Sequence, residues 1–431
     1  MKDSLPETRP GIADLGLPRI VVVGGGFGGL ELVKGLASAP VQTVLIDRHN
    51  HHTFQPLLYQ VATSGLETSS IVFPFRKRFH HAPRVFFRLG EVINISPEEQ
   101  CIETSIGRIR YDYLVIATGA ITNYYNLQDV EQYAIGLKSI VDAIKLRNTI
   151  IRNFEQALLT DDLRLRNSLM DFVIVGGGPT GVELAGALAE LKRHVFPKDY
   201  PELRLEEMDI FLLEAGPRLL SAMSEEASQK ALTYLTEMGV NVQLNTAVQS
   251  YNGEEVTLSD GRKISTKTLI WAAGVKANPL PGLPAECLTP SGRYRVDAFC
   301  RVQGHNNIFA IGDVACMEGD PDWENGHPMV APPAMQQGRW LAANLRRYLK
   351  GLPMKPFRYR DKGTMATVGR NKAVVDLKGM KFQGFFAWYV WMFVHLLYLV
   401  GFRNKIFVFL SWVWSYFSYD KSNRLIIGRP Q

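Results

Sequence analysis

The sequence predicts an α/β fold: two parallel-sheet units of strand, glycine turn, helix and strand, followed by a helical tail. Three observations carry that prediction. Two segments, residues 20–47 and 172–214, repeat one grammar; a further apolar run in each half ends on a glycine; and residues 371–431 change in both charge and aromatic content.

The chain has 431 residues, 48 Lys+Arg against 42 Asp+Glu, 46% hydrophobic and 21% charged residues. At about 150 residues per domain this allows about three domains. The composition is that of a globular protein and excludes a disordered chain, a collagen and a small disulfide scaffold. Cys101, Cys287, Cys300 and Cys316 contain no C-x-x-C pair, so a zinc knuckle or a dithiol redox centre is not expected.

The first repeat begins with the β-branched run Ile20-Val21-Val22-Val23. Glycines 24, 25, 26, 28 and 29 follow, then a helix-like stretch to about Ser38 and a second strand, Val44-Leu45-Ile46, ending at Asp47. The second repeat runs Phe172-Val173-Ile174-Val175, then Gly176-Gly177-Gly178-Pro179-Thr180-Gly181, then a helix to about Arg193. Its second strand, Ile210-Phe211-Leu212-Leu213, ends at Glu214. Glycine-rich turns alone say little; a strand before, a helix after and a closing acid make each a dinucleotide fingerprint. The first glycine permits the tight turn, the second lets backbone approach a pyrophosphate, and the third lets helix pack on strand. The helix N-terminus adds N–H groups and positive potential for phosphates. Glu214 lies beyond the usual spacing; residues 194–207, rich in Pro, Tyr and charge, read as an intervening loop.

Tyr113-Leu114-Val115-Ile116 runs into Ala117-Thr118-Gly119, and Leu269-Ile270-Trp271 into Ala272-Ala273-Gly274, as though one strand per unit returned beside the first. Asn307-Ile308-Phe309-Ala310-Ile311 then leads into Gly312-Asp313, where a short acid at a strand end suits a bound polyol. The first fold is thus interrupted by the second and resumes near Gly312. Two Rossmann-like dinucleotide sites in one chain imply hydride transfer from a nicotinamide to a flavin, with non-covalent FAD in the interrupted domain and the exchangeable nucleotide in the inserted one. Glu214 favours NADH, because a carboxylate repels a 2′-phosphate and bonds a free 2′-hydroxyl.

From Arg19 to about Arg429 the chain resembles the type II NADH dehydrogenases, single-chain FAD enzymes that pass electrons from NADH to membrane quinone without pumping protons. The resemblance rests on both fingerprints, the Ala117-Thr118-Gly119 and Gly312-Asp313 sites, Phe54-Gln55-Pro56-Leu57-Leu58-Tyr59-Gln60-Val61-Ala62, residues 176–186 and 331–338, and the tail. It implies two glutathione-reductase-like domains plus a C-terminal membrane-anchoring segment. The missing C-x-x-C separates the chain from the disulfide-reducing branch and from sulfide:quinone reductases.

The resemblance also implies roles. Gly24, Gly26, Gly28 and Gly29 would hold the FAD pyrophosphate, Asp47 its ribose, Gly312 and Asp313 its ribityl chain, and Thr118 and Gly119 the flavin ring. Gly176, Gly178 and Gly181 would hold the NADH pyrophosphate, Glu214 its ribose, and Gly274 would complete that site. Glu183 matches a family glutamate between nicotinamide and flavin that positions nucleotide or delivers protons. Many members carry A-Q-x-x-x-Q where this chain has Ala331-Pro332-Pro333-Ala334-Met335-Gln336-Gln337-Gly338, so Gln336 and Gln337 are the candidates for the quinone end. The prolines suit the start of a helix, whose N-terminus would stabilise reduced flavin. Lys362 matches a position near the family's quinone tunnel, against the plainer reading of a surface lysine.

Residues 371–431 alone carry eight Lys/Arg and two Asp. A basic terminal segment points to an anionic membrane face rather than to nucleic acid. Residues 382–402 form an uncharged run long enough to span a bilayer, since about 20 residues suffice. Residues 406–419 are too few to span, and Ser411, Ser415, Ser418 and Ser422 place a polar stripe on an otherwise aromatic helix. Trp388, Trp391, Trp412 and Trp414 suit the headgroup boundary, and Lys378, Lys381, Arg403, Lys405, Lys421 and Arg424 flank the apolar runs. The expectation is a monotopic anchor through residues 382–419 on the cytoplasmic face of the cell membrane, with one true span or a homodimer interface as alternatives.

The expected organisation is an extension (1–18) without a signal peptide, an FAD-binding domain (19–125 and 295–345), an NADH-binding domain (126–294) and a membrane-associating domain (346–431). His51 and His52 read as capping or solvated groups beside the flavin segment. Nothing reads as a metal site, a hydrolase triad or a nucleic-acid surface. Two other functions stay open at this point: a flavoprotein reductase of a soluble redox protein, and a redox-sensing scaffold that binds FAD and NADH but turns over slowly.

Overall fold

The computed structural model describes residues 10–421 and 423–428. Residues 1–9 of the expected extension, Ser422 of the serine stripe and residues 429–431 lie outside the described residues. The chain forms two compact units. One takes the residues up to His52 with Phe73–Ile121 and Val275–Asp361; the other takes Thr53–Val72, Thr122–Gly274 and the chain from Lys362 onward.

The first unit is built on a five-stranded parallel sheet. Its order is Ile308–Ala310, Tyr113–Ile116, Arg19–Val23, Gln42–Asp47 and Val85–Leu89. The apolar runs that fix these strands are buried almost throughout, as a parallel sheet covered on both faces requires. The strand that closes the sheet, Ile308–Ala310, comes from far down the chain, so the interruption read from the sequence is real. The Phe27–Leu36 helix packs on the Ala331–Tyr348 helix through small residues. A Cβ on Gly338 would sit 2.2 Å from the Gly28 carbonyl oxygen, and one on Gly35 would sit 2.5 Å from Ala342 Cβ.

The second unit repeats the design with the parallel order Ile135–Gly136, Thr268–Trp271, Phe172–Val175, Ile210–Leu213 and Asn241–Gln243. The residues expected to loop between helix and strand hold two short helical turns, Phe196–Asp199 and Leu205–Glu207. The same unit carries a three-stranded antiparallel sheet, Thr364–Thr367, Ala373–Leu377 and Met380–Gln383, ahead of the helices Phe385–Tyr398 and Phe402–Ser418.

The uncharged run 382–402 is therefore not one helix. Its first two residues belong to a strand, Gly384 at φ +83° starts the helix, and the helix ends at Tyr398 before Gly401 at φ +89°. Only glycine takes such angles without strain, and the run is divided where glycines sit. Among the described residues no helix is long and apolar enough to cross a membrane.

Candidate functional site

Each fingerprint is shaped by its glycines. Gly24 has φ +101°, and a Cβ there would lie 2.4 Å from the Ala117 carbonyl oxygen; Gly176 has φ +110° and the same relation, 2.5 Å, to Ala272. A Cβ on Gly29 would stand 1.9 Å from the Gly24 oxygen, and one on Gly181 1.9 Å from the Gly176 oxygen. These four glycines hold strand, turn and helix together. Gly26 and Gly178 differ: a Cβ on either meets nothing within 4 Å. Each is the N-cap of its helix with no side-chain hydrogen bond, and the space beside its Cα is open. A diphosphate fits that cradle, and each fingerprint can hold a dinucleotide there. Gly28 is buried, and a Cβ there would lie 3.2 Å from the Ala334 carbonyl oxygen and 3.3 Å from Ile311 Cδ1.

The closing acids are set the same way in both units. Asp47 accepts from the Gly25 amide at 2.6 Å and from His49 N–H at 2.7 Å. Glu214 accepts from the Gly177 and Gly216 amides, each at 2.6 Å. The long spacing before Glu214 leaves its geometry equal to that of Asp47, because strand pairing rather than chain distance sets the position.

His52 is 3% exposed and is neither solvated nor a cap. Its Nδ1 lies 3.0 Å from the Gly25 carbonyl oxygen, its ring meets the edge of Phe27, and its Nε2 has no partner. A carbonyl only accepts, so Nδ1 carries the proton; burial holds the imidazole neutral, with its pKa lowered to about 4. His51 is half-buried beside Asn50.

Thr118 Oγ1 donates to the Asn278 carbonyl at 2.6 Å, and Gly119 follows at φ +68° with nothing near its Cβ position. Gly312 has φ +75° and opens the Gly312–Val314 turn that carries Asp313. Its amide donates to Gln337 Oε1 at 2.7 Å. Gln337 is 1% exposed; its Nε2 meets His327 Nδ1 at 3.2 Å, and His327 Nε2 lies 3.0 Å from Asp320 Oδ2. Gln336 is engaged too, donating to the Arg360 carbonyl at 2.9 Å and accepting from the Arg360 amide at 3.1 Å. Both glutamine amides hold backbone. Pro332 opens the Ala331–Tyr348 helix as expected.

In the second unit, Gly274 at φ +141° is crowded by the Tyr125 hydroxyl, which donates to the Ala273 carbonyl. Lys362 Nζ lies 3.3 Å from the Tyr398 hydroxyl, on the ring of a terminal helix. Glu183, on the Pro179–His194 helix, is 7% exposed and accepts from the Thr367 amide at 3.4 Å. Burial raises its pKa to about 8, opposed by that amide and by the Trp391 indole, whose buried Nε1 completes no hydrogen bond. Glu183 lines a cavity of about 90 Å³ together with Tyr59, Glu190, Thr367, Arg370 and Lys421, roofed by Trp388, Trp391 and Trp412. Of these the sequence had singled out only Glu183 as a site residue. The others come from a helix, a strand and the tail, and no local motif joins them.

The terminal helices expose an aromatic face. Phe386 is 67% exposed, Phe393 64%, Phe402 79%, Trp414 63% and Phe417 80%. Their other sides are anchored: Trp412 Nε1 donates to Gln60 Oε1 at 2.7 Å, and Asn404 Nδ2 donates to the Val72 carbonyl at 2.9 Å.

Comparison with known proteins then shows what this arrangement is similar to. Residues 18–338 match the family model of the pyridine nucleotide-disulphide oxidoreductases, and residues 362–418 match the NDH2 C-terminal domain. The type II NADH:quinone oxidoreductase Ndh of Mycobacterium tuberculosis is 37% identical over 96% of this chain and 91% of its own length. The type II NADH:quinone oxidoreductase of Haemophilus influenzae is 30% identical over 84% of this chain and 87% of its own length. Among solved structures, NDH2 of Plasmodium falciparum in complex with NADH superposes with a TM-score of 0.86 at 21% identity, covering 95% of this chain and all of that one. The sulfide:quinone oxidoreductase of Aquifex aeolicus gives a TM-score of 0.72 at 18% identity, covering 93% and 95%.

Proposed function

We propose a division of labour within this chain, which belongs to the type II NADH:quinone oxidoreductases of the pyridine nucleotide-disulphide oxidoreductase family. It is an FAD-dependent enzyme that oxidises NADH and reduces quinone without pumping protons. FAD, when bound, takes up hydride and hands on electrons. The expectations of a reductase for a soluble redox protein and of a slow scaffold give way to this activity.

The fingerprint of the first unit, Gly24, Gly26 and Gly29 with Asp47, holds FAD, and Gly312, Asp313, Thr118 and Gly119 complete its site. The fingerprint of the second unit, Gly176, Gly178 and Gly181 with Glu214, holds NADH. Glu183 serves nucleotide positioning or proton delivery. Gln337 and Gln336 act as positioning residues at the quinone end, through the Gly312 amide and the Arg360 backbone they hold. The functional domains proposed here, 19–125 with 295–345, 126–294 and 346–431, are cut by ligand rather than by packing; Thr53–Val72 and the chain from Lys362 pack with the second unit.

One observation carries the assignment. Both fingerprints lead into a helix at a middle glycine that carries no side-chain cap and has open space beside its Cα. Gly29→Ala and Gly181→Ala test it, since each places a Cβ on a carbonyl oxygen. Gly29→Ala should yield colourless protein. Gly181→Ala should stay yellow and lose NADH binding in a titration of flavin fluorescence. The reverse pattern overturns the assignment.

The aromatic face of the terminal helices rests on the lipid surface, where quinone dissolves, in an interfacial mode rather than a span. Four free cysteines suit the reducing, cytoplasmic side. Removal of the chain from Gly384 onward should leave the protein unbound in a vesicle flotation assay. Sedimentation of the intact, detergent-dispersed chain reports whether residues 382–419 also join a homodimer.

A further inference from the structure

The overall reaction consumes one proton. NADH gives up a hydride, which carries one hydrogen and both electrons; quinone needs two hydrogens, so the second arrives as H⁺ from the medium. A route for that proton must begin in water.

Such a route is laid out on one helix. Along Pro179–His194, residues 183, 187, 190 and 194 are spaced by four, three and four, and so share a face. Glu183 is buried at one end and Glu190 is partly exposed, with 22% of its side-chain surface free. His194, half-buried, lies against the Tyr419 ring with centroids 4.2 Å apart, near the outer end. Seven residues separate the two carboxylates, about 10 Å along the axis, too far for a direct transfer. Between them stands Ala187, and the cavity of about 90 Å³ runs past all three. That volume takes a few waters, and its polar lining can hold them.

The carboxylates are tied to one loop. Thr367 N–H donates to Glu183, Arg370 N–H donates to Glu190 at 2.5 Å, and Gly186 lets this loop approach, since a Cβ there would meet Gly369 N at 2.9 Å. The tail closes the outer side. Lys421 Nζ lies 3.8 Å from Glu190 Oε2 and 3.3 Å from the Ala187 carbonyl. The Arg370 guanidinium caps the Phe402–Ser418 helix through the Ser415 and Tyr416 carbonyls. Among the described residues, Tyr59 from the Leu58–Ala62 helix and Tyr416 from the Phe402–Ser418 helix also face this space, with Arg193 and Lys198 at the rim near His194.

We propose that Glu190, held by Lys421 and the Arg370 amide, is the inlet of a water-filled proton route that recharges Glu183 once per turnover. This rests on the proton-delivery role of Glu183. In each cycle the Glu183 O–H bond breaks as its proton leaves for the acceptor. A new O–H bond forms from cavity water, and Glu190 passes in the replacement from solvent. Glu190 touches no substrate and is a positioning and relay residue. The tail through Lys421 thus belongs to the proton path as well as to the anchor.

The test uses full-length, FAD-loaded enzyme in lipid vesicles. Flavin is reduced once with NADH and separately with dithionite, then reoxidised by a short-chain quinone in a stopped-flow mixer with a pH-indicator dye present. In Glu190→Gln, bleaching by NADH should match wild type. Reoxidation should slow tenfold or more above pH 7, with dye-reported proton uptake slowed in step. Added imidazole should restore the rate, as should Glu190→Asp. Ala187→Leu, which fills the cavity and leaves both carboxylates, should show the same slowing. Reoxidation within twofold of wild type in both Glu190→Gln and Ala187→Leu overturns the proposal. So does slowing without weak-acid rescue and with an unchanged pH profile. Failure of NADH to bleach wild-type flavin that dithionite does reduce counts instead against the NADH site assignment.

Discussion

Replacing Glu183 with glutamine should stabilise the oxidised protein by an amount that grows with pH. The glutamate carboxyl is 7% exposed, and burial raises its pKa from 4.5 to about 8. Between those values the folded state keeps a proton that the unfolded chain releases, so stability is lost as pH rises from about 4.5 and the loss levels off near pH 8. Each unit of separation is worth about 1.4 kcal/mol. The cost is therefore under about 1 kcal/mol at pH 5, about 3 kcal/mol at pH 7 and about 5 kcal/mol beyond pH 8. Glutamine matches the neutral form in shape, accepts from the Thr367 amide and cannot ionise. In a unit of this size about 3 kcal/mol corresponds to a Tm gain of about 6–10 °C. Calorimetry of wild type and Glu183→Gln from pH 5 to pH 9 measures the difference. A gap that opens with pH and then flattens agrees with a buried, protonated carboxyl. A gap independent of pH would refute it, whatever the variant does to turnover.

Glu214→Ala removes the acceptor of two amides at 2.6 Å and should relax discrimination against NADPH, read as the ratio of kcat/KM for the two nucleotides; an unchanged ratio denies its ribose role. Gln337→Leu strands the Gly312 amide and His327, each buried loss costing about 1–3 kcal/mol, so Tm should fall and FAD dissociate faster on dilution. Phe417→Ser, at a side chain 80% exposed, should weaken binding to anionic vesicles about tenfold with no change in Tm. A drop in Tm instead would mean that this ring packs against protein.

The sequence by itself determined the α/β class, both fingerprints and the interruption of one fold by the other. These rest on local chemistry: β-branched runs that must be buried, and glycines without which strand, turn and helix collide, as at Gly29 and Gly181. It also placed the closing acids, because a strand end beside a glycine turn is a local address. Tertiary structure decided what depends on contacts between distant segments. Residues 382–402 read as one uninterrupted apolar run, yet Gly384 and Gly401 divide them, and a strand pairing with Ala373–Leu377 takes their first residues. His52 read as a capping or solvated group, yet folding buries it on the Gly25 carbonyl. Gln336 and Gln337 looked alike in sequence but differ by one residue on a helix, which turns one amide to Arg360 and the other to Gly312. The cavity beside Glu183 was legible only as a spacing: residues 183, 187, 190 and 194 fall on one helical face, but which strand, tail lysine and tryptophans enclose that face is set by packing across more than 200 residues of chain.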